Sequence, residues 1–524
     1  MRDGTHPGTP IRAGRVACTL QGRRPPRSPE PALTAHDARR PGLTLAILSI
    51  AAVSYVLQQT LVVPALPTIQ RDLDTTNTWV TWVFTAFLLT SAVATPLLGK
   101  LGDIHGKRLL LVISMLVFVA GTVAAALSSS IVMLIVARGL QGAAGAIFPL
   151  SFGIIRDEFP PERVGVGLGL LSATFGVGGG VGLVLSGVIL EHLPWTWLFW
   201  IGAIPPAIAL VLVWLLVPES PVRTPARLDW WGALTLSVGL AALLVGLSEG
   251  ERWGWLSAAT LGAFAISLAA LVLWVWVELR VPEPLIDIGM MRERAVFWTN
   301  IAAVLAGFAM FGTFLLVPSF VQTGTGLPAD VASLVDYGFG ASVIEAGLYL
   351  LPASAVMLVV GPIGGMLETR VGARNLTMAG MLILGAGGFV LAGLHATGLE
   401  IVVAMTLIGV GVGLVYSMLA KLIIDAVAPA VTGVAMGMNT VMRTIGGVIG
   451  GQVGAAILSA QTIAGTGGIP AESGYTTTFA LAGTVAVIGA AGCLLIPRHT
   501  RRPGAPAPGP ALEPAGSRVG RVAP

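Results

Sequence analysis

Gly99-Lys100-Leu101-Gly102-Asp103-Ile104-His105-Gly106-Lys107-Arg108 separates two long apolar runs, and Gly365-Met366-Leu367-Glu368-Thr369-Arg370-Val371-Gly372-Ala373-Arg374 separates two others. At a constant offset of 266 residues, glycine, leucine, glycine and arginine coincide, at 99 and 365, 101 and 367, 106 and 372, 108 and 374. Duplication is the simplest origin of such a match. The first copy lies between apolar runs 2 and 3 of the chain and the second between runs 10 and 11, so the repeated unit is a string of runs.

Outward from these loops, fourteen apolar segments are counted between residues 43 and 497. Each is long enough to cross a hydrocarbon core of about 30 Å as a helix. The composition agrees: 524 residues, 55% hydrophobic and 11% charged, against about 25% charged in a soluble domain. A water-soluble enzyme is excluded, because the charge cannot cover its surface. A backbone in lipid must satisfy its own hydrogen bonds, and segments this rich in Leu, Ala and Gly read as helices rather than barrel strands. The expected fold is an all-α integral membrane protein of 14 transmembrane helices. Residues 43–217 form a six-helix bundle, 230–278 two inserted helices, and 295–497 a second, pseudo-symmetric six-helix bundle. The Pro/Arg-rich residues 1–42 and the Pro/Ala/Gly-rich residues 498–524 read as disordered tails.

Basic residues set the orientation. With the first tail placed in the cytoplasm, 26 of the 30 Lys and Arg fall on that side, while the opposite loops hold only Arg71 and Arg252. This is the positive-inside pattern, and an even number of spans returns both termini to the cytoplasm. The Arg39-Arg40 pair abuts a full-length apolar segment with no cleavage site, which argues against an export signal. A multi-pass protein of the plasma or inner membrane is expected. Two cysteines, Cys18 and Cys493, cannot build a disulfide framework. The six histidines form no H-E-x-x-H, so no metal site is expected, and no cofactor. No P-loop is present, so uphill work must draw on an ion gradient or a partner. The net charge of +4 comes from the tails and one side of the membrane, and gives no reason to expect nucleic acid.

Duplicated six-helix units are typical of alternating-access carriers, with a substrate site near the midplane where the halves meet. Here the residues become specific. The pattern at 99–108 resembles the loop motif of the major facilitator superfamily, and fourteen spans resemble its drug/proton antiporter branch. The stretch from Leu134 to Gly145, with Arg138, Gln141 and Gly142, looks like the family's span-4 motif. Gly178-x3-Gly182 with Ser186-Gly187 looks like its span-5 antiporter motif, and Thr60 to Pro67 like its span-1 signature.

The resemblance implies roles. Gly99, Asp103, Gly106, Lys107 and Arg108 are expected to form a conformational latch, with Asp103 meeting a basic side chain or a helix N-terminus in one state and releasing it in the other. Arg138, Gln141 and Gly142 share one face of span 4. The resemblance implies a part in proton movement, while an arginine hydrogen-bonded to carbonyls and locking two helices is the alternative. Gly178, Gly182 and Gly187 in span 5, and Gly446 and Gly450 in span 13, are expected to form the close-packed seams where the halves meet and rock. Tyr55, Gln58 and Gln59 on span 1, with Asn439 and Arg443 on span 13, are the candidate substrate cavity.

Two departures from the family pattern matter. Gln58 stands where the span-1 signature usually has an aspartate, and Leu183 where the span-5 motif usually has a proline. Glutamine cannot take up a proton, and no Asp or Glu lies in the middle of any span. Two embedded arginines without an embedded acid predict an electropositive cavity, favouring neutral or anionic amphipathic molecules over permanent cations. The expected activity is not enzymatic but secondary active export of small amphipathic compounds, of multidrug-efflux type, by a monomer coupled to protons. A nutrient or metabolite permease of the same fold, and a transport-inactive sensor or scaffold, are the alternatives.

Overall fold

A computed structural model describes residues 41–220, 222–223, 227–324, 334–464, 466 and 468–497. The two expected tails, apart from residues 41–42, lie outside the described residues. Among the described residues the regular structure is helical, with a single isolated bridge between Thr462 and Pro470.

Fourteen helical spans are long and apolar enough to cross a membrane: span 1 (Pro41–Asp72), 2 (Trp79–His105), 3 (Lys107–Ala126), 4 (Ile131–Glu158), 5 (Pro161–His192), 6 (Trp197–Leu216), 7 (Trp230–Trp253), 8 (Ala258–Glu278), 9 (Arg294–Gln322), 10 (Val343–Val371), 11 (Ala373–Gly393), 12 (Gly398–Ala426), 13 (Pro429–Ala460) and 14 (Glu472–Cys493). With an even number, both ends of the described chain lie on one face, called here the tail side, and the other the far side. Span 1 is not one smooth helix. Its 3-10 turn at Val63–Ala65 accommodates Pro64, and a second 3-10 turn at Ala143–Ala146 interrupts span 4.

The loop expected over residues 100–108 is almost absent. Span 2 runs helically to His105 and span 3 begins at Lys107, leaving Gly106 as the only joint, at φ +119°. The equivalent Gly372, at φ +86°, is likewise the only joint between spans 10 and 11. A side chain at such a positive φ is strained, so the coincidence of glycine at 106 and 372 records one backbone need met twice.

Four hydrophobic clusters hold the described spans together. One hydrophobic cluster, including Ala303, Met357, Ile408 and Phe479, joins spans 9 to 12 and span 14. Two others fill mainly spans 1 to 6, around Phe118, Phe148 and Leu171 and around Leu61, Val83 and Leu198. A fourth ties spans 7 and 8 to span 13 through Leu236, Trp274 and Met438. Span 8 is the outermost helix: only 17% of its apolar window is buried inside the protein, against 61% for span 1. Its exposed Leu268 and Val272 suit contact with lipid.

Candidate functional site

Two seams join the first six spans to the last six on the tail side. In the first, spans 2 and 13 cross at Gly99 and Gly433, where a methyl group on Gly99 would come within 2.6 Å of the Gly433 carbonyl oxygen. This close approach brings Asp103 onto the start of the span-13 helix. Its carboxylate accepts from the backbone N–H of Gly433 and of Val434, both at 3.1 Å. These are amides of the first helical turn, which lack partners within their own helix. Lys107 lies 3.5 Å from Asp103 and 2.7 Å from Asp157. Its stem lies over Gly153, where a β-carbon would collide with it. Arg156 adds a second strap, donating to the Val427 and Ala428 carbonyls and the Thr432 hydroxyl. Arg108 takes no part in the strap. Its guanidinium reaches the Trp214 carbonyl at the end of span 6, and its backbone N–H the Glu219 carboxylate.

The second seam is made by spans 5 and 10, and here the glycine expectation needs correcting. The residues in contact are Gly165 with Gly365, Gly169 with Gly361, Gly180 with Ser354 and Gly187 with Ile344. Of the glycines expected at the seams, only Gly187 is there. Gly178 and Gly182 face span 1, against Val56 and Thr60, and the Thr60 hydroxyl donates to the Gly178 carbonyl at 3.0 Å. Gly446 and Gly450 face span 9, against Val304 and Phe308. Span 5 carries glycine on several faces, so the small-x3-small spacing identified a close contact without saying with which helix.

Arg138 is fully buried and bound by carbonyl oxygens: Nε donates to Val83 O at 3.1 Å, Nη1 to Gln58 O at 3.2 Å and to Gln141 Oε1. The Phe87 ring covers it at 4.3 Å, Gln141 Nε2 donates to Thr122 at 2.9 Å, and Gly142 lets span 4 approach Phe87 and Ser91 of span 2. No carboxylate is among its described partners. These bonds tie span 4 to spans 1 and 2.

Between the halves lies a cavity of two lobes sharing Gln59, Phe84, Phe175, Phe311 and Leu315. The inner lobe reaches Tyr55, Ser91 and Arg443, and the outer lobe, about 500 Å3, extends to Pro67, Ser319 and Gln322 near the far side. Neither lobe reaches the Gly99–Gly433 or Gly165–Gly365 crossing at the tail-side ends of the seams, so the described cavity leads toward the far side. Tyr55, Gln59 and Arg443 line it. Gln58 and Asn439 do not. Gln58 is fully buried against Gly202 of span 6, and Asn439 donates to Asn300 at 2.9 Å within the second half.

The sequence reading missed the aromatic walls. Arg443 lies against two aromatic rings that meet edge to face, Phe175, 4.2 Å away on span 5, and Tyr416, 4.4 Å away on span 12. Phe175 is the only Phe, Trp or Tyr in span 5, a signal that a glycine-rich span leaves visible. Arg156 and Asp157 had no comparable signal, because their partners lie far away in the sequence.

A polytopic helical bundle with a central cavity sealed on one side defines a membrane carrier. Residues 48–451 match the Major Facilitator Superfamily profile, and the chain belongs to that family. It is a transporter, not an enzyme. It is 31% identical over 71% of its length to the multidrug transporter protein MdtP of Bacillus subtilis, covering 67% of that protein. It is 29% identical over 72% of its length to the tetracenomycin C resistance and export protein of Streptomyces glaucescens, covering 68% of it. Among solved structures it resembles the human organic anion transporter MFSD10 (TETRAN), with a TM-score of 0.63 at 16% identity over 87% of this chain and 99% of that one. Family members carry small molecules across membranes, and this chain is a multi-pass membrane protein of that kind.

Proposed function

We propose that this protein exports small amphipathic compounds across the cell membrane by alternating access, with both termini in the cytoplasm. The observation that carries the reading is the two-lobed cavity leading to the far side while both seams close the tail side. Basic residues concentrated on the tail side support a cytoplasmic location for it, so the arrangement is an outward-facing one. Asp103 and Arg156 hold it there, and export requires their bonds to break so that the halves can tilt. The names of relatives about 30% identical, which include multidrug and antibiotic export, agree with a substrate held mainly by apolar walls. The protein acts as a monomer in this scheme, because the cavity is complete within one chain.

Exchange against protons is the drive implied by the resemblance. A second drive is favoured by one observation: among the described residues lining the cavity there is no carboxylate to carry a proton. A charged substrate would instead be moved by the membrane potential, at about 2.3 kcal/mol per charge per 100 mV. Inverted vesicles, acid and positive inside, separate the two. Nigericin, which collapses the pH gradient, abolishes accumulation of a fluorescent amphiphile if protons are exchanged. Accumulation that survives nigericin but fails with valinomycin assigns the drive to the potential, and no accumulation in energised vesicles without either ionophore refutes export.

A further inference from the structure

The two embedded arginines have different surroundings, one within the protein and the other on the cavity wall. Arg138 has three oxygen acceptors from the protein, on Nε and Nη1, while its sealed Nη2 has none among the described residues. Arg443 is only 6% exposed and carries the one formal charge on the described cavity wall. Among the described residues, no oxygen accepts a hydrogen bond from its guanidinium. Its contacts are the Phe175 and Tyr416 rings, which attract the cation without using its N–H donors. An acceptor in the cavity would satisfy it, since the guanidinium is a charged donor open to the cavity rather than sealed within the protein. It lies at the inner end of a cavity whose outer lobe is apolar, with Leu183, Met310 and Phe314 on its wall and no ionisable side chain among its described lining.

Resting on the transport reading above, we propose that Arg443 is the binding site for the anionic head of the substrate, and that the carried class is amphipathic monoanions, a carboxylate or sulfonate joined to an apolar body. The planar guanidinium fork matches two oxygens of such a head, and the outer lobe, about 500 Å3, falls within the range for a drug-sized body. Phe175 belongs to the first half and Arg443 to the second, so the head group binds where the stacking already bridges the halves. The substrate itself supplies the negative charge that no described residue lining the cavity does.

Full-length protein in lipid nanodiscs tests this with matched fluorescent pairs: dansylglycine against dansylglycinamide, and naphthaleneacetate against naphthaleneacetamide. Each pair differs in charge and little in shape. Native protein should bind each carboxylate at least tenfold more tightly than its amide. Arg443→Gln should bring that ratio to about one, and Arg443→Lys should keep part of it. A carboxylate bound no better than its amide by native protein overturns the proposal without any variant, as does a preference that survives Arg443→Gln. Flux in vesicles separates this from the broader reading. Amides carried while carboxylates are not preferred would sink the anion site alone, and carboxylates bound at Arg443 but never carried would sink export alone.

Discussion

The two seams between the halves start from equivalent glycines and end as different devices. Gly99 meets Gly433 in one and Gly365 meets Gly165 in the other, each with room for no side chain. Beyond that crossing, spans 5 and 10 stay in contact as far as Gly187 and Ile344, near the far side. Spans 2 and 13 part beyond Pro96 and Gly437, and the space between Leu88, Thr85, Thr444 and Val448 becomes cavity. The charges differ as well. Asp103 is 2% exposed and bound to the span-13 amides, whereas its counterpart in the repeat, Thr369, is exposed. One seam is a short catch made of hydrogen bonds; the other is a long smooth contact suited to act as a pivot.

The largest expected effect separates the two charge clusters beside the seams. Lys107 is fully buried between Asp103 and Asp157, while Lys421, between Glu368 and Asp425, is partly open to solvent. Lys107→Met leaves two buried carboxylates without their cation and should lower stability by about 3–5 kcal/mol. Lys421→Met should cost less than about 1 kcal/mol, as near-surface pairs do. Thermal unfolding of the purified protein checks both, and equal losses would erase the distinction.

Next comes the pivot. A valine at Gly169 would press on the Gly361 backbone, which even a β-carbon would approach to 2.2 Å. Overpacking of this kind costs about 1–3 kcal/mol. Because the contact is made of backbone on both sides, it cannot be relieved by a rotamer change. Flux should fall about 10- to 100-fold in Gly169→Val. Normal flux would mean that this seam separates during transport instead of serving as its axis.

Asp103→Asn tests the catch. The asparagine keeps one acceptor but turns an NH2 donor toward an N–H donor, losing charge-assisted bonds worth about 1.5–3 kcal/mol. The balance should move at least about tenfold toward a tail-side-open form. Spin labels at His105 and Pro429, both exposed on the tail side, should then report a longer distance. An unchanged distance distribution, with normal flux, would remove Asp103 from the latch.

How much of this was open to reading in advance depended on the range of the interaction. Fourteen helices were legible because length and hydropathy in lipid decide them locally, and Gly106 and Gly372 because a one-residue joint needs positive φ. The joint's true size was not, since polar residues from Lys100 to His105 continue a helix as readily as they make a loop where it leaves the membrane. Arg443 could be placed at mid-depth by counting, but its state depends on Phe175, 268 positions earlier, and on which face of span 5 turns inward. Glycine on several faces hid that orientation. The roles of Gln58 and Asn439 failed for the same reason: both are polar and inside spans, and only packing shows that each faces a neighbouring helix.

The smallest expected effect asks whether the catch could be copied by charge alone. Thr369→Asp puts a carboxylate where the repeat aligns it with Asp103, yet the change should alter stability and state balance by less than about 0.5 kcal/mol. Position 369 is exposed, so the new charge stays hydrated and gains little from any dipole. The partner helix also offers no free donors there. Gly433 is in the first turn of its helix, with an amide seeking an acceptor, but Gly165 lies four residues beyond the start of Pro161–His192, where the amide is already used by the helix. A measurable shift on Thr369→Asp, by the same unfolding and distance measurements, would mean that charge suffices and that the amides of span 13 are incidental to the Asp103 catch.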